Sequence, residues 1–226
     1  MQFSGRGKDV TRGYVEYFRV DCRRGPAAVP AKELWKVVGE MARDAVIVVD
    51  MIKDNVNTAL HSGISGEAGR IIPGIQHLLD AARDKNLLVV YANDSFYPTD
   101  VIFRGKMKPH ALRGTPGVGV IAELEPRPGD IVLEKRRLSA FFKTDLDITL
   151  RDNGVERVAV AGIATPFCVL LTALDALGNG FKTVILEDCC AAYPPEDHAN
   201  CLNLYRRGLF GDYFRIVTAE EYLSWV

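Results

Sequence analysis

The sequence lacks long apolar runs. Among its 226 residues, no apolar stretch approaches the roughly 20 residues that a helix needs to cross a bilayer. The N-terminal stretch from Met1 to Lys8 has no apolar segment of the kind that secretory signal peptides contain. We therefore expect a cytoplasmic protein without a membrane partner.

Metal, disulfide and nucleotide motifs are also absent. The five cysteines are odd in number and form no C-x-x-C pair, which argues against a disulfide framework or a structural zinc site. No G-x-G-x-x-G or P-loop pattern occurs, so a nucleotide site is not supported. The formal net charge of -1 gives no reason to expect a nucleic-acid partner. We expect no cofactor.

Length and local pattern divide the chain into an arm and one domain. A chain with 48% hydrophobic and 25% charged residues has the composition of an ordinary globular protein, and its length suits a single domain. Residues 1–43 differ in pattern from the rest of the chain and contain a helical pattern over 31–41. We expect an N-terminal arm and helix over 1–43 and a domain over 44–226.

Apolar runs alternate with helical patterns from residue 44 onward. The β-branched run over 45–49 is continuous, as in a strand buried on both faces. Helices are predicted between the strands, and one of them begins at Pro73 after a loop over 54–69. The alternation predicts a three-layer α-β-α sandwich with a mostly parallel, doubly wound sheet. The further predicted strands cover 87–92, 131–135, 158–161, 181–186 and 214–217.

One turn in this pattern carries a nucleophile. Cys168 follows the strand over 158–161 and begins the helical pattern over 170–177. Backbone N–H groups and the helix dipole at that position favour a thiolate over a thiol and can bind an oxyanion. The alternative is that Cys168 is a small buried apolar residue, as most free cysteines are.

Two charged residues end other predicted strands. Asp50 follows the strand over 45–49, and Lys135 ends the strand over 131–135. Sites in parallel sheets lie beyond the carboxyl ends of the strands, so a carboxylate and an ammonium can meet the sulfur of Cys168 there. The carboxylate would accept the thiol proton, and the ammonium would hold the thiolate. The alternatives are a capping aspartate and a solvated lysine.

Three segments together resemble the isochorismatase-like cysteine hydrolases. They are 48–51 (Val-Val-Asp-Met), Glu134-Lys135 with 139–141 (Ser-Ala-Phe), and 162–169 (Gly-Ile-Ala-Thr-Pro-Phe-Cys-Val). The resemblance covers roughly residues 44–224 and implies an isochorismatase-like fold. It also implies that Asp50, Lys135 and Cys168 form a catalytic triad.

The resemblance implies an amidohydrolase that cleaves a C–N bond through a thioester. The family's cis peptide would fall between Ile163 and Ala164, and the N–H groups of Ala164 and Cys168 would face the substrate oxygen. The substrate would be a small linear amide, carbamoyl or ureido compound, and the protein would form homodimers or homotetramers. Phe141 would line the pocket.

The family's metal ligands are only partly present. Metal-binding nicotinamidases carry an Asp-x-His unit after the second strand and a later histidine. Here the unit reads Asp94-Ser95-Phe96, and His110 matches the later histidine. Two ligands are too few for the usual three protein ligands of zinc. We therefore expect no bound metal, with Asp94 and His110 as vestigial ligands.

Further residues extend the predicted pocket and leave other functions open. We expect Phe96 and Thr165 to line the pocket, and Arg104 can bind a substrate carboxylate because guanidinium suits that group. One alternative function is a nicotinamidase with a degenerate metal site. Another is a catalytically silent member of the superfamily that binds a small ligand.

Overall fold

The computed structural model describes residues 43–208 and 210–226. The predicted arm and helix over 1–43 lie outside this part of the chain except for Arg43, so the boundary between arm and domain stays a prediction. In the described residues, six parallel strands form one sheet in the order β3-β2-β1-β4-β5-β6. The strands are β1 Arg43–Val49, β2 Leu88–Asp94, β3 Ile131–Lys135, β4 Val155–Ile163, β5 Lys182–Ala191 and β6 Phe214–Val217.

Helices cover both faces of the sheet. One face packs against α1 and α5, and the other packs against α2, α3 and α4. The predicted three-layer, doubly wound parallel fold is therefore confirmed. The helices are α1 Ser62–Asp84, α2 Leu146–Asp152, α3 Leu170–Gly178, α4 Pro195–Tyr205 and α5 Ala219–Leu223. None of the helices in the described part of the chain has the length and apolarity to cross a membrane.

The prediction that α1 starts at Pro73 is wrong. The helix starts at Ser62, and Pro73 lies in its interior. Its buried face begins at Ser65 and Ala68 and continues through Ile71, so packing against the sheet holds the first turns in place despite the proline. The predicted loop over 54–69 is correspondingly shorter.

The strand order fixes where polar side chains can meet. The connections run in opposite directions from β1 and β4, so the crevice at the carboxyl end of the sheet opens between these two central strands. The residues that follow the neighbouring strands β3, β2, β1 and β4 therefore lie together at the carboxyl edge of the sheet.

Gly162 allows β4 to approach β1 closely just before the crevice. Its φ is +111°, and a Cβ atom there would lie 2.1 Å from the carbonyl oxygen of Val49. Any larger residue would have to displace β1 backbone at the point where β1 leads into Asp50.

Replacing Gly162 with alanine tests this constraint. We expect Gly162→Ala to lower the free energy of unfolding by about 2 kcal/mol or more, because it adds both a positive-φ penalty and a backbone clash. The matched control is Gly178→Ala, since Gly178 lies in a helix with nothing near its Cβ position. Denaturant titration of both variants measures the difference, and equal stabilities would contradict this account.

Candidate active site

Four neighbouring strands each supply one polar side chain to the crevice. Asp50 follows β1, Asp94 ends β2, Lys135 ends β3, and Cys168 lies in the turn after β4. Asp94 and Lys135 are direct partners in the register of β2 and β3. The structure thus brings the three predicted triad residues together and adds Asp94 to them.

Lys135 lies between two carboxylates. Its Nζ is 2.8 Å from Oδ2 of Asp50 and 2.5 Å from Oδ1 of Asp94, and it also donates to the carbonyl oxygen of Arg137 at 3.3 Å. The lysine side chain is fully buried. Burial alone would lower the pKa of Lys135, but the negative charges around it raise that pKa well above its ordinary value. Lys135 therefore stays protonated.

Asp50 is held in an unusual backbone conformation. Its φ is +57°, a region that aspartate tolerates better than most residues. Its N–H donates to the carbonyl of Ala92 at 3.0 Å, and Nδ2 of Asn55 donates to its carbonyl at 3.2 Å. Its Oδ1 accepts a hydrogen bond from the backbone N–H of Asp94 at 2.8 Å. These contacts fix the direction of the carboxylate.

The second oxygen of Asp50 faces the ammonium of Lys135. Oδ2 is buried and lies 2.8 Å from Nζ of Lys135, and the side chain of Cys168 is a further hydrogen-bond partner of this carboxyl group. Burial and the charge of Asp94 together raise the pKa of Asp50 to about 7, while Lys135 opposes the shift. A carboxylate with that pKa can take up and release a proton near neutral pH.

Cys168 lies beside this carboxylate as a buried thiol. One ligand atom each of Asp50, Asp94 and Cys168 lies within 4.8 Å of the others. Burial raises the pKa of the Cys168 thiol well above its ordinary value, and the charge of Asp50 adds to the shift. The expectation that the helix start favours a thiolate is therefore wrong, because desolvation and a nearby anion outweigh the helix dipole and Lys135.

The turn before Cys168 has the predicted shape. The peptide bond between Ile163 and Ala164 is cis, as the resemblance implied. A single π-helical turn, Thr165–Val169, then leads into α3. Both Ala164 and Cys168 line a cavity at the carboxyl end of the sheet.

This cavity has a volume of about 630 Å³ and opens above Asp50, Asp94 and Cys168. Most of its wall is apolar, and it has a polar end formed by the carboxylates, Asn55, His61 and His110. The apolar wall includes Leu60, Ile64, Ile102, Met107, Leu138, Phe167 and Tyr193.

Four predicted pocket residues do not line this cavity. Phe96 is fully buried behind His110, and Arg104 is exposed at the end of a short 3-10 helix. Phe141 packs against Phe181 in the core. The hydroxyl of Thr165 is paired with Nδ1 of His198 at 2.8 Å. Each of these side chains either has its contacts elsewhere in the structure or is exposed to solvent, so none of them forms part of the cavity wall.

The residues near Asp94 do not fit a metal ion. In the described part of the chain, the only group of three or more His, Cys, Asp and Glu ligand atoms in reach of one ion is Asp50, Asp94 and Cys168. The ammonium of Lys135 already contacts both carboxylates and takes the position of a cation. The residue two places after Asp94 is the fully buried Phe96.

Sequence reasoning missed several cavity residues. His61 follows no strand, so the rule about strand ends could not find it, whereas Tyr193 lies just after the end of β5 but was not among the predicted pocket residues. The position of both residues follows from the fold. The helix α1 starts earlier than predicted, and the ring of Tyr193 packs over Gly63, where an added Cβ atom would lie 2.4 Å from the ring. In the sequence, Gly63 in the first turn of α1 is the one local feature that indicates its contact with Tyr193.

Comparisons with known proteins agree with this architecture. The family model "Isochorismatase domain" matches residues 44–220. Maleamate amidohydrolase from Pseudomonas putida is 30% identical over 151 residues, which cover 64% of this chain and 68% of that protein.

Two solved structures are similar over most of the described residues. The N-carbamoylsarcosine amidase from Thermoplasma acidophilum matches with a TM-score of 0.67 and 32% identity, covering 79% of this chain and 97% of that one. The pyrazinamidase of Pyrococcus horikoshii in complex with zinc matches with a TM-score of 0.69 and 30% identity, covering 78% and 99%.

Removing the buried cation tests the electrostatics of the site. We expect Lys135→Met to lower the free energy of unfolding by about 3 to 5 kcal/mol near neutral pH, because two buried carboxylates lose their partner. Because Lys135 lowers the pKa of Asp50, that pKa lies above 7 in the variant, so the loss should shrink as the pH falls toward about 7 and Asp50 becomes protonated. The control is Lys106→Met, at an exposed position. Denaturant titration at several pH values measures both, and a pH-independent loss would contradict the account.

Proposed function

Because this chain belongs to the isochorismatase family, we propose that it is a cysteine amidohydrolase with Asp50, Lys135 and Cys168 as its catalytic residues. Its substrate is a small linear amide, carbamoyl or ureido compound, and its reaction passes through a thioester. The observation that carries the proposal is the buried carboxyl group of Asp50 beside the Cys168 thiol at the floor of a cavity.

The enzyme class predicted from the sequence, a hydrolase of carbon–nitrogen bonds other than peptide bonds, is confirmed. Relatives of this chain are named as amidohydrolases and amidases. A small-molecule substrate agrees with those names. The identity of the substrate and the roles of the site residues are part of what we propose.

The first step forms the acyl-enzyme. Asp50 takes the proton of the Cys168 thiol as the sulfur attacks the carbonyl carbon of the amide. A carbon–sulfur bond forms, and the carbonyl oxygen gains negative charge. Burial and the charge of Asp50 raise the pKa of the Cys168 thiol, so the attack needs a base that takes up the thiol proton.

The turn at Ile163, Ala164 and Cys168 stabilises that oxygen. N–H groups of Ala164 and Cys168 serve as the oxyanion hole, in the role that the family resemblance implies. The position of both residues in the cavity wall supports this assignment. Collapse of the intermediate breaks the carbon–nitrogen bond, and the leaving nitrogen takes the proton from Asp50.

Water completes the cycle. Asp50 accepts a proton from a water molecule that attacks the thioester carbon. The carbon–sulfur bond breaks, and Asp50 returns the proton to the sulfur, which gives the acid and the Cys168 thiol. Lys135 keeps the carboxylate oriented and limits how far its pKa rises. All the contacts of its ammonium are with protein oxygens, which makes it an electrostatic partner of Asp50 rather than a proton donor to the substrate.

The nicotinamidase alternative depends on a metal ion that holds the pyridine nitrogen. The ligands around Asp94 do not fit such an ion, so the geometry favours the metal-free amidohydrolase. The cytoplasmic location and the homodimer or homotetramer stay predictions.

The pH profile and a matched pair of variants test the mechanism. We expect kcat/KM for ammonia release to rise with pH through about 7, as Asp50 loses its proton. Asp50→Asn should lower kcat about 10²- to 10⁴-fold, the usual contribution of a general base. Asp94→Asn removes the same charge beside Lys135 but should keep the rising limb, shifted to lower pH because the charge of Asp94 raises the pKa of Asp50.

Loss of Cys168 distinguishes catalysis from ligand binding alone. Cys168→Ala should abolish ammonia release from a panel of amides, whereas Cys201→Ala should retain it, since Cys201 lies in α4. Full turnover by Cys168→Ala would overturn the mechanism. An inactive wild-type protein would support a silent, ligand-binding member of the family.

A further inference from the structure

We propose, resting on the proposed function, that the cavity selects uncharged amides over amides that carry a carboxylate. The preference would arise from the charged groups that face the substrate. The maleamate amidohydrolase relative is named for a substrate with a carboxylate, so this preference would set the present chain apart from it.

The charge at the floor of the cavity is negative. Asp50 and Asp94 contribute two carboxylates, and Lys135 contributes one ammonium that contacts both. Its third contact is the carbonyl oxygen of Arg137, so the ammonium is surrounded by protein acceptors and does not line the cavity. A substrate carboxylate would therefore meet a net negative floor, with no unpaired cation on it among residues 43–208 and 210–226.

The basic residues at positions 104–113, between β2 and β3, do not line the cavity. Arg104, Lys106 and Lys108 are exposed, and Arg113 pairs with Glu134 at 3.0 Å. In the described part of the chain, no lysine or arginine lines the cavity. The predicted role of Arg104 as a carboxylate ligand therefore has no support in the geometry.

Two histidines line the cavity and can hydrogen-bond a substrate instead. The rings of His61 and His110 meet edge to face, with centroids 4.4 Å apart. Nδ1 of His110 is paired with the carbonyl of Lys108 at 2.9 Å, and Nε2 of His61 is buried with no hydrogen-bond partner in the described residues. Burial lowers the pKa of His61, and the nearby His110 lowers it further, so this imidazole is neutral at neutral pH.

The mouth of the cavity suits an uncharged group. Leu60, Met107, Phe167 and Tyr193 are large, line the cavity and are each 42% to 62% exposed. A substrate that covers them removes apolar surface from water, which favours binding. A charged end group placed against them would lose its hydration without gaining a partner.

Pairs of matched substrates test the preference. Succinamide and succinamate differ only in an amide group in place of a carboxylate, and so do maleamide and maleamate. We expect kcat/KM to be at least about tenfold higher for the uncharged member of each pair, after correction for its two amide groups. Calorimetric titration of Cys168→Ala with the same compounds should give the same order of affinity.

A cation added at the mouth should weaken the preference. Met107→Lys places an ammonium in the cavity lining and should reduce the ratio of kcat/KM several-fold, as charge complementarity predicts. Val101→Lys adds the same charge at an exposed apolar position outside the lining and should leave the ratio unchanged.

The outcomes separate this inference from the proposed function. Ammonia release that is faster from succinamate and maleamate would overturn the inference and leave the amidohydrolase standing. Absence of ammonia release from every compound would overturn the proposed function. In that case tighter binding of the carboxylates to Cys168→Ala would overturn the inference as well, and tighter binding of the uncharged members would support it.

Discussion

A single buried ammonium organises the candidate active site. Lys135 lies between Asp50 and Asp94, and each of the three residues ends or follows one of three adjacent parallel strands. Taking such charges out of water is expensive, and only close pairing offsets the cost. The sheet provides that pairing through its register, because β2 and β3 place Asp94 and Lys135 side by side. Loss of any strand would leave a buried charge without its partner.

The same arrangement determines the protonation states at rest. Two carboxylates share one cation, so burial and mutual repulsion raise the pKa of Asp50 to about 7. The anion beside Cys168 raises the pKa of the thiol too. At rest the proton therefore lies on the sulfur of Cys168, and an oxygen of Asp50 lies close enough to receive it. In this arrangement, one proton can pass from the sulfur of Cys168 to Asp50 and then to a leaving nitrogen without a bound metal.

Particular residues show how much could be predicted from the sequence. Asp50, Lys135 and Cys168 follow strands that are visible as β-branched runs, and parallel strands bring their ends together, so their meeting was predictable. The pKa of Cys168 was not, because it depends on burial and on the carboxylate beside it rather than on its place in a helix. The start of α1 was missed because packing against the sheet outweighs the proline at position 73. Part of the cavity wall was missed because His61 follows no strand, while Phe96 and Phe141 are buried away from the cavity.

The most direct test is the state of the Cys168 sulfur in the free enzyme. Thiolate absorbs in the ultraviolet, so the difference between wild type and Cys168→Ala across a pH titration reports the ionisation of this one thiol. The account predicts no thiolate at neutral pH, with ionisation only above the value of about 8.5 for free cysteine. A thiolate that persists well below that value would show that proton transfer to Asp50 is complete before substrate arrives, and would contradict the account.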